Sequence, residues 1–190
     1  MRIITGSARG IPLKTLEGEA TRPTAEKVKE AVFSALQFDL EGRRFLDLFA
    51  GSGQMGLEAL SRGAAHATFI DASREAMEIT KANAKKTGFF DHSHFLVSDF
   101  RSYLRKAKGT SPFHIVFIDP PYAERLVGEC LKKLWEAELL APSALVVTES
   151  EEENVFATVP DAEPYFEAVK VKKYGRTWIH ILRAKNGDTE

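Results

Sequence analysis

Phe113-His114-Ile115-Val116-Phe117-Ile118-Asp119-Pro120-Pro121-Tyr122 is the stretch that decides the fold. Six largely apolar residues run without alternation, the pattern of a strand covered on both faces in a parallel sheet. Two prolines then end it, because neither can donate to a ladder and each holds the residue before it in extended backbone. The chain leaves the sheet at a fixed point. Asp119 is left at the carboxyl end of a buried strand, the side on which open α/β sheets bind ligands. An acid, two rigid imides and an aromatic ring at one turn suit chemistry on a planar amino group.

Strand and helix patterns alternate on both sides of this stretch. A helix with Val28, Ala31, Val32, Ala35 and Leu36 on one face opens at Thr24. Strands are expected at 44–49, 67–70, 94–97, 113–118 and 144–148. Between them lie helices at 54–62, 73–87 (ended by Gly88), 101–106 and 123–137. Such alternation argues for a parallel sheet. Two last segments, 165–173 and 177–183, are joined by Tyr174-Gly175-Arg176, so they form an antiparallel hairpin appended to it. Residues 1–20 read as an N-terminal hairpin or arm before a single domain spanning 1–190.

The chain has 190 residues, 44% of them hydrophobic, which suits one domain with a full core. Its one cysteine, Cys130, cannot form an internal disulfide and is expected as a buried thiol in a reducing compartment. No apolar run approaches the roughly 18 residues of a membrane span, so a cytoplasmic protein is expected. The histidines have no metal-ligand spacing with Cys130, and no metal is expected. Trp178 and His180 are expected as packing or surface residues.

The formal net charge is only −1, yet charges are segregated along the chain. From 149 to 167 there are acids and no Lys or Arg. From 168 to 187 there are Lys170, Lys172, Lys173, Arg176, Arg183 and Lys185 and no acids. One end can therefore be basic, and Arg2, Arg9, Lys14 and Arg22 can join that surface.

Asp47-Leu48-Phe49-Ala50-Gly51-Ser52-Gly53 ends the first sheet strand and leads into a helix, so its glycines let the backbone pass close to a nucleotide-like cofactor. Gly51-Ser52-Gly53-Gln54-Met55-Gly56 with Asp71 also meets the dinucleotide fingerprint. Asp47 weighs against that rival, because its anion stands beside the loop where a pyrophosphate would lie. The sulfonium and ammonium groups of S-adenosylmethionine would instead gain from it. Acids recur after each following strand as Asp71, Asp99 and Asp119. Asp71 can hold two ribose hydroxyls, and Asp99 can accept from an adenine amino group.

The Asp-x-Phe-x-Gly-x-Gly loop, the spaced acids and Asp119-Pro120-Pro121-Tyr122 together resemble the Rossmann-like S-adenosylmethionine-dependent amino-methyltransferases. Arg22-Pro23-Thr24, the short N-terminal hairpin and the Tyr174-Gly175 hairpin make the chain similar to the RsmD family, which methylates the 2-amino group of a guanine in small-subunit (16S) ribosomal RNA. The resemblance implies a mostly parallel seven-stranded sheet with helices on both faces. It implies S-adenosylmethionine contacts from Asp47, Phe49, Gly51, Gly53, Asp71, Asp99 and Thr24. It also implies catalysis at Asp119, Pro120 and Tyr122. Substrate contacts are expected at Arg9, Arg22, Pro121, Lys173 and Arg176, with Arg22 facing either the cofactor carboxylate or RNA phosphate. The expected partner is ribosomal RNA in a small-subunit particle, met by a monomer. Alternatives left open by the residues are amino-methylation of a DNA base or a protein glutamine, a non-catalytic RNA-binding assembly factor, and a nicotinamide-dependent oxidoreductase.

Overall fold

The computed structural model describes residues 1–16, 23–121 and 125–185. The chain falls into two compact units, Met1–Asp99 and Phe100–Glu190. In the first, residues 2–12 fold back on themselves through an antiparallel bridge between Arg2 and Pro12. The Ile3 N–H donates to Ile11 O at 3.0 Å and the Gly10 N–H to Ile3 O at 2.9 Å. Helix α1, Pro23–Ala35, begins with a proline, where the missing N–H costs no helical bond. Its Val28, Val32 and Phe33 are buried.

Strands β1 (Arg44–Asp47), β2 (His66–Asp71) and β3 (Ser93–Val97) run parallel, with β2 between the others. Helix α2, Gln54–Ser61, is short, and seven of its eight residues are buried. It is covered because the N-terminal hairpin lies on it: the buried Glu58 carboxylate accepts the N–H groups of Ile4 (2.8 Å) and Thr5 (3.0 Å). Helix α3, Arg74–Thr87, is capped by Ser73 and stopped by Gly88 at φ 79°, as its sequence predicts.

In the second unit, α4 (Phe100–Ala107) leads to β4 (Phe113–Ile118), which matches the expected bounds residue for residue. Helix α5 is Val127–Glu136, and the expected start near 123 lies outside the described residues. Arg125, two residues before the helix, adopts φ 47°. Strand β5 is longer than expected, Leu140–Ser150, because pairing resumes across an irregularity: Phe113 faces Leu140, but Ile115 already faces Leu145. Pro142 and Ser143, at φ 58°, occupy the extra length. Strands β6 (Phe166–Tyr174) and β7 (Thr177–Ala184) form the expected antiparallel hairpin, and β7 pairs antiparallel with β5.

The seven strands make one mixed sheet in the order β3-β2-β1-β4-β5-β7-β6. Leu46, Phe69, Ile70 and Met77 centre the core of the first unit. Val116, Ile118, Leu131, Leu134 and Val146 centre that of the second. Each such side chain contributes roughly 1.5–3 kcal/mol by leaving water. Cys130 is buried there as expected, and burial pushes its thiol well above the usual range. Among the described residues, no helix is long and apolar enough to cross a membrane.

Candidate functional site

Asp47 and Asp71 are the last residues of β1 and β2, Asp99 lies two residues past β3, and the strand registers arrange the three as a staircase. Asp47 lies opposite Phe69, two residues before Asp71, and Asp71 lies opposite Val97, two residues before Asp99. Each step therefore rises two residues, about 7 Å, and moves one strand across, about 4.8 Å. The Ser98 N–H donates to Asp71 O at 2.9 Å and fixes the approach to Asp99. Such spacing lets successive acids meet successive polar groups of one extended ligand.

The loop after β1 is held on every side. The Ala50 N–H donates to Ile70 O (2.8 Å), and the Gly53 N–H closes a turn on Ala50 O (2.7 Å). Gly51 and Gly53 adopt φ 53° and 78°, and a Cβ on Gly53 would lie 2.6 Å from Thr80 Cγ2. Both facts demand glycine. The Asp71 carboxylate accepts the Gly51 N–H on one oxygen (2.9 Å) and the Ser73 N–H on the other (2.8 Å). Each oxygen keeps a second lone pair for a ligand hydroxyl. Asp47 is 1% exposed, and its Oδ2 takes the Gly56 N–H at 3.2 Å. Its charge thus sits on the first turn of α2, the position a pyrophosphate would need in the dinucleotide reading. Gly56 serves packing: a Cβ there would meet Phe69 Cε1 at 2.3 Å.

Two residues of α3 were not singled out by sequence reasoning. Thr80 Oγ1 donates to Gly51 O at 2.9 Å, and Asn83 Nδ2 donates to Ser52 O at 2.9 Å. Asn83 also accepts the Lys14 N–H (2.8 Å) and donates to Lys14 O (2.9 Å), so it ties the N-terminal segment to the loop. The available signal was a stripe with Met77, Thr80, Asn83 and Thr87 at helical spacing, polar where a core face should be apolar. Phe49 is half-buried beside these loop residues in sequence, Asp99 is exposed, and Thr24 lies in the first turn of α1.

In the second unit, Asp119 is half-buried at the end of β4, Pro120 is buried and Pro121 exposed. Arg22 and Tyr122 lie outside the described residues. Arg9 and Lys173 are exposed, and Arg176 pairs with Glu151 at 3.3 Å. Arg183 likewise pairs with Glu167 at 3.7 Å. The acidic and basic tracts of the sequence therefore meet in space, and the C-terminal end is less uniformly basic than their separation along the chain implies. His180 is buried with Nε2 facing Glu153 O (2.8 Å) and Nδ1 facing Thr148 Oγ1 (3.2 Å), and burial lowers its pKa.

A family model described as "Conserved hypothetical protein 95" matches residues 1–183. The Ribosomal RNA small subunit methyltransferase D of Escherichia coli (strain K12) is 40% identical over 162 residues, spanning 84% of this chain and 79% of that one. The solved structure of yhhF from Escherichia coli is 34% identical, with a TM-score of 0.84 over 97% of this chain and 98% of that chain. SMU.776, solved in complex with SAH, is alike in fold: 14% identity and a TM-score of 0.66 over 80% of this chain and 49% of that chain.

Proposed function

This chain belongs to the Conserved hypothetical protein 95 family, the RsmD family of the sequence resemblance, and from that premise we propose that it transfers a methyl group from S-adenosylmethionine to the exocyclic 2-amino group of a guanine in small-subunit ribosomal RNA. The observation that carries the reading is the staircase of Asp47, Asp71 and Asp99 beside a loop whose helix N-terminus is already occupied by a carboxylate. That arrangement favours a cationic amino-acid head over a pyrophosphate.

The donor set fits the cofactor. Asp47, Phe49, Gly51 and Gly53 would hold its methionine part, with Thr24 near the carboxylate. Asp71 would take the ribose hydroxyls through its spare lone pairs, and Asp99 the adenine amino group. When bound, S-adenosylmethionine supplies an electrophilic methyl carbon on a sulfonium. The chain's own residues must make the acceptor nitrogen reactive, because an aromatic amine delocalises its lone pair into the ring. Asp119 and the Pro120 carbonyl each accept one amino hydrogen, which pyramidalises the nitrogen and frees that pair. Positioning carries much of the rate, and the Asp119 charge stabilises the positive charge that develops on nitrogen. The surplus proton then leaves to Asp119 or water. Tyr122 stacks on the base, with Pro121 beside it, as aromatic side chains do with unpaired RNA bases. Arg9 contributes a phosphate contact, and Arg22 pairs with either the cofactor carboxylate or RNA phosphate. The two units act as one methyltransferase domain, as a monomer in the cytoplasm, on RNA within a small-subunit particle.

Isothermal titration with S-adenosylmethionine and with NAD tests the premise. Binding of the first and not the second is expected, and the reverse would replace this reading with an oxidoreductase.

A further inference from the structure

Strand β6 is the outermost strand, and seven of its nine residues are exposed. It is open on both faces, with Val169 and Val171 at 47% and 43% exposure. Among the described residues, Lys170, Lys172 and Lys173 have no carboxylate partner, whereas Arg176 and Arg183 on the same hairpin are paired. Three lysines therefore remain unneutralised on one short ribbon. Between Ala168 and Lys170 the register slips by one residue, so Val169 is an added residue in a bulge. Beyond it Lys170, Lys172 and Tyr174 follow at alternate positions and share a face, about 7 Å apart. The Lys172 ammonium lies 5.1 Å from the Tyr174 ring centre, and that of Lys173 lies 5.1 Å from the Trp178 ring centre.

The registers of this unit tie the ribbon to Asp119. Ile118 pairs with Thr148, Thr148 with His180, and His180 with Val171. One residue further, Asp119 is level with Lys172. Strand β4 runs parallel to β5, and β5 and β6 each run antiparallel to β7, so β4 and β6 point the same way. Tyr174 and Asp119 therefore come off the same edge of the sheet, three strand spacings apart, roughly 14 Å.

We propose that the end of β6 is a binding track for the single-stranded RNA that flanks the target base: Lys170, Lys172 and Lys173 contact its phosphates, and Tyr174 stacks on one of its bases. The proposal rests on the reading of the protein as an RNA methyltransferase and names the surface that the substrate follows from the reacting base. Charge complementarity selects RNA as the occupant, since Lys170 and Lys172 lead along one face to the Tyr174 ring, with Lys173 on the other face of the same edge, and together they match a strand with a phosphate and a base in every repeat.

The test uses the full chain with Lys170→Gln, Lys172→Gln and Lys173→Gln together. Binding of a 20-nucleotide single-stranded RNA of mixed sequence is measured against salt, alongside methyl transfer to small-subunit particles from cells lacking the protein. Three lost phosphate contacts should lower the slope of log affinity against log salt by about 2 and weaken binding at least ten-fold near 0.1 M salt. KM for particles should rise with kcat, S-adenosylmethionine affinity and Tm unchanged. Tyr174→Leu should weaken RNA binding at constant slope, and Tyr174→Phe should restore it.

Unchanged RNA affinity and slope in the triple variant overturn the proposal. So does aggregation of that variant with normal RNA binding, which would make the lysines guards of an open sheet edge. A defect confined to assembled particles, with naked RNA bound normally, would assign the ribbon to a ribosomal protein and also overturn it. Failure of the unaltered chain to bind S-adenosylmethionine or to methylate particles would instead sink the functional reading itself.

Discussion

In the loop after β1, successive carbonyls of Gly51 and Ser52 are each held by a side chain of α3, and Asp71 grips backbone on both its oxygens. On β6, by contrast, most side chains are exposed, and among the described residues three ammonium groups lack acid partners. The first region fixes atoms to a fraction of an ångström, as a small ligand met through a few directional bonds requires. The second fixes only a line of charge, which is enough for a long polymer whose phosphates can shift along it. The turn at Asp119 combines the two, since a rigid Pro120-Pro121 backbone presents an acid at the end of a buried strand.

The largest effect should come where the comparison is sharpest. Asp119→Ala removes the acceptor on which the reacting nitrogen depends, and methyl transfer should fall by about 10²–10³ or more. Calorimetry should find S-adenosylmethionine binding nearly intact. Comparable turnover in this variant would leave the turn with a purely architectural role. Gly53→Val comes next: positive φ and the 2.6 Å approach to Thr80 should abolish measurable cofactor binding or destabilise the fold by several kcal/mol. Asn83→Asp keeps the size of the side chain but turns a donor into an anion facing Ser52 O and Lys14 O. A penalty of about 1–3 kcal/mol is expected, read as cofactor affinity weakened about 5- to 150-fold in protein that is still folded. Equal affinity would show that the bonds to the loop serve only stability.

The smallest effect concerns His180. Its pKa is lowered by burial, so the native state resists protonation while the unfolded chain takes up a proton below its ordinary value of 6.5. The stability it contributes is present above that pH and is lost as pH falls toward the lower native value. Thermal unfolding between pH 7.5 and 5 should show Tm dropping with acid, and His180→Gln should make that slope shallower. An unchanged slope would place the acid sensitivity elsewhere.

Much of this architecture was legible because strong local signals agreed with the fold. The run 113–118 could only be a covered strand, and Ser73 and Gly88 delimit α3 by chemistry that needs no tertiary partner. The strand-terminal acids were equally visible, because each follows an apolar run. What escaped was decided by distant partners. Nothing near Asn83 in sequence announces that it reads the backbone of Lys14 and Ser52, 69 and 31 positions away. The early part of β5 was missed because Pro142 argues against a strand, and only the irregular pairing with β4 accommodates it. The meeting of Arg176 with Glu151 and Arg183 with Glu167 follows from the return of β7 beside β5 and β6, which a charge count along the chain does not convey.

The central claim is that Asp119 and Pro120 present a guanine amino nitrogen to a sulfonium methyl. Its most direct test incubates the chain with small-subunit particles from cells lacking it and labelled S-adenosylmethionine, followed by digestion and nucleoside separation. The account predicts label in N2-methylguanosine at one site, absent with Asp119→Ala. Label in adenine, cytosine, a ring nitrogen or protein, or an undiminished signal from the variant, would contradict it.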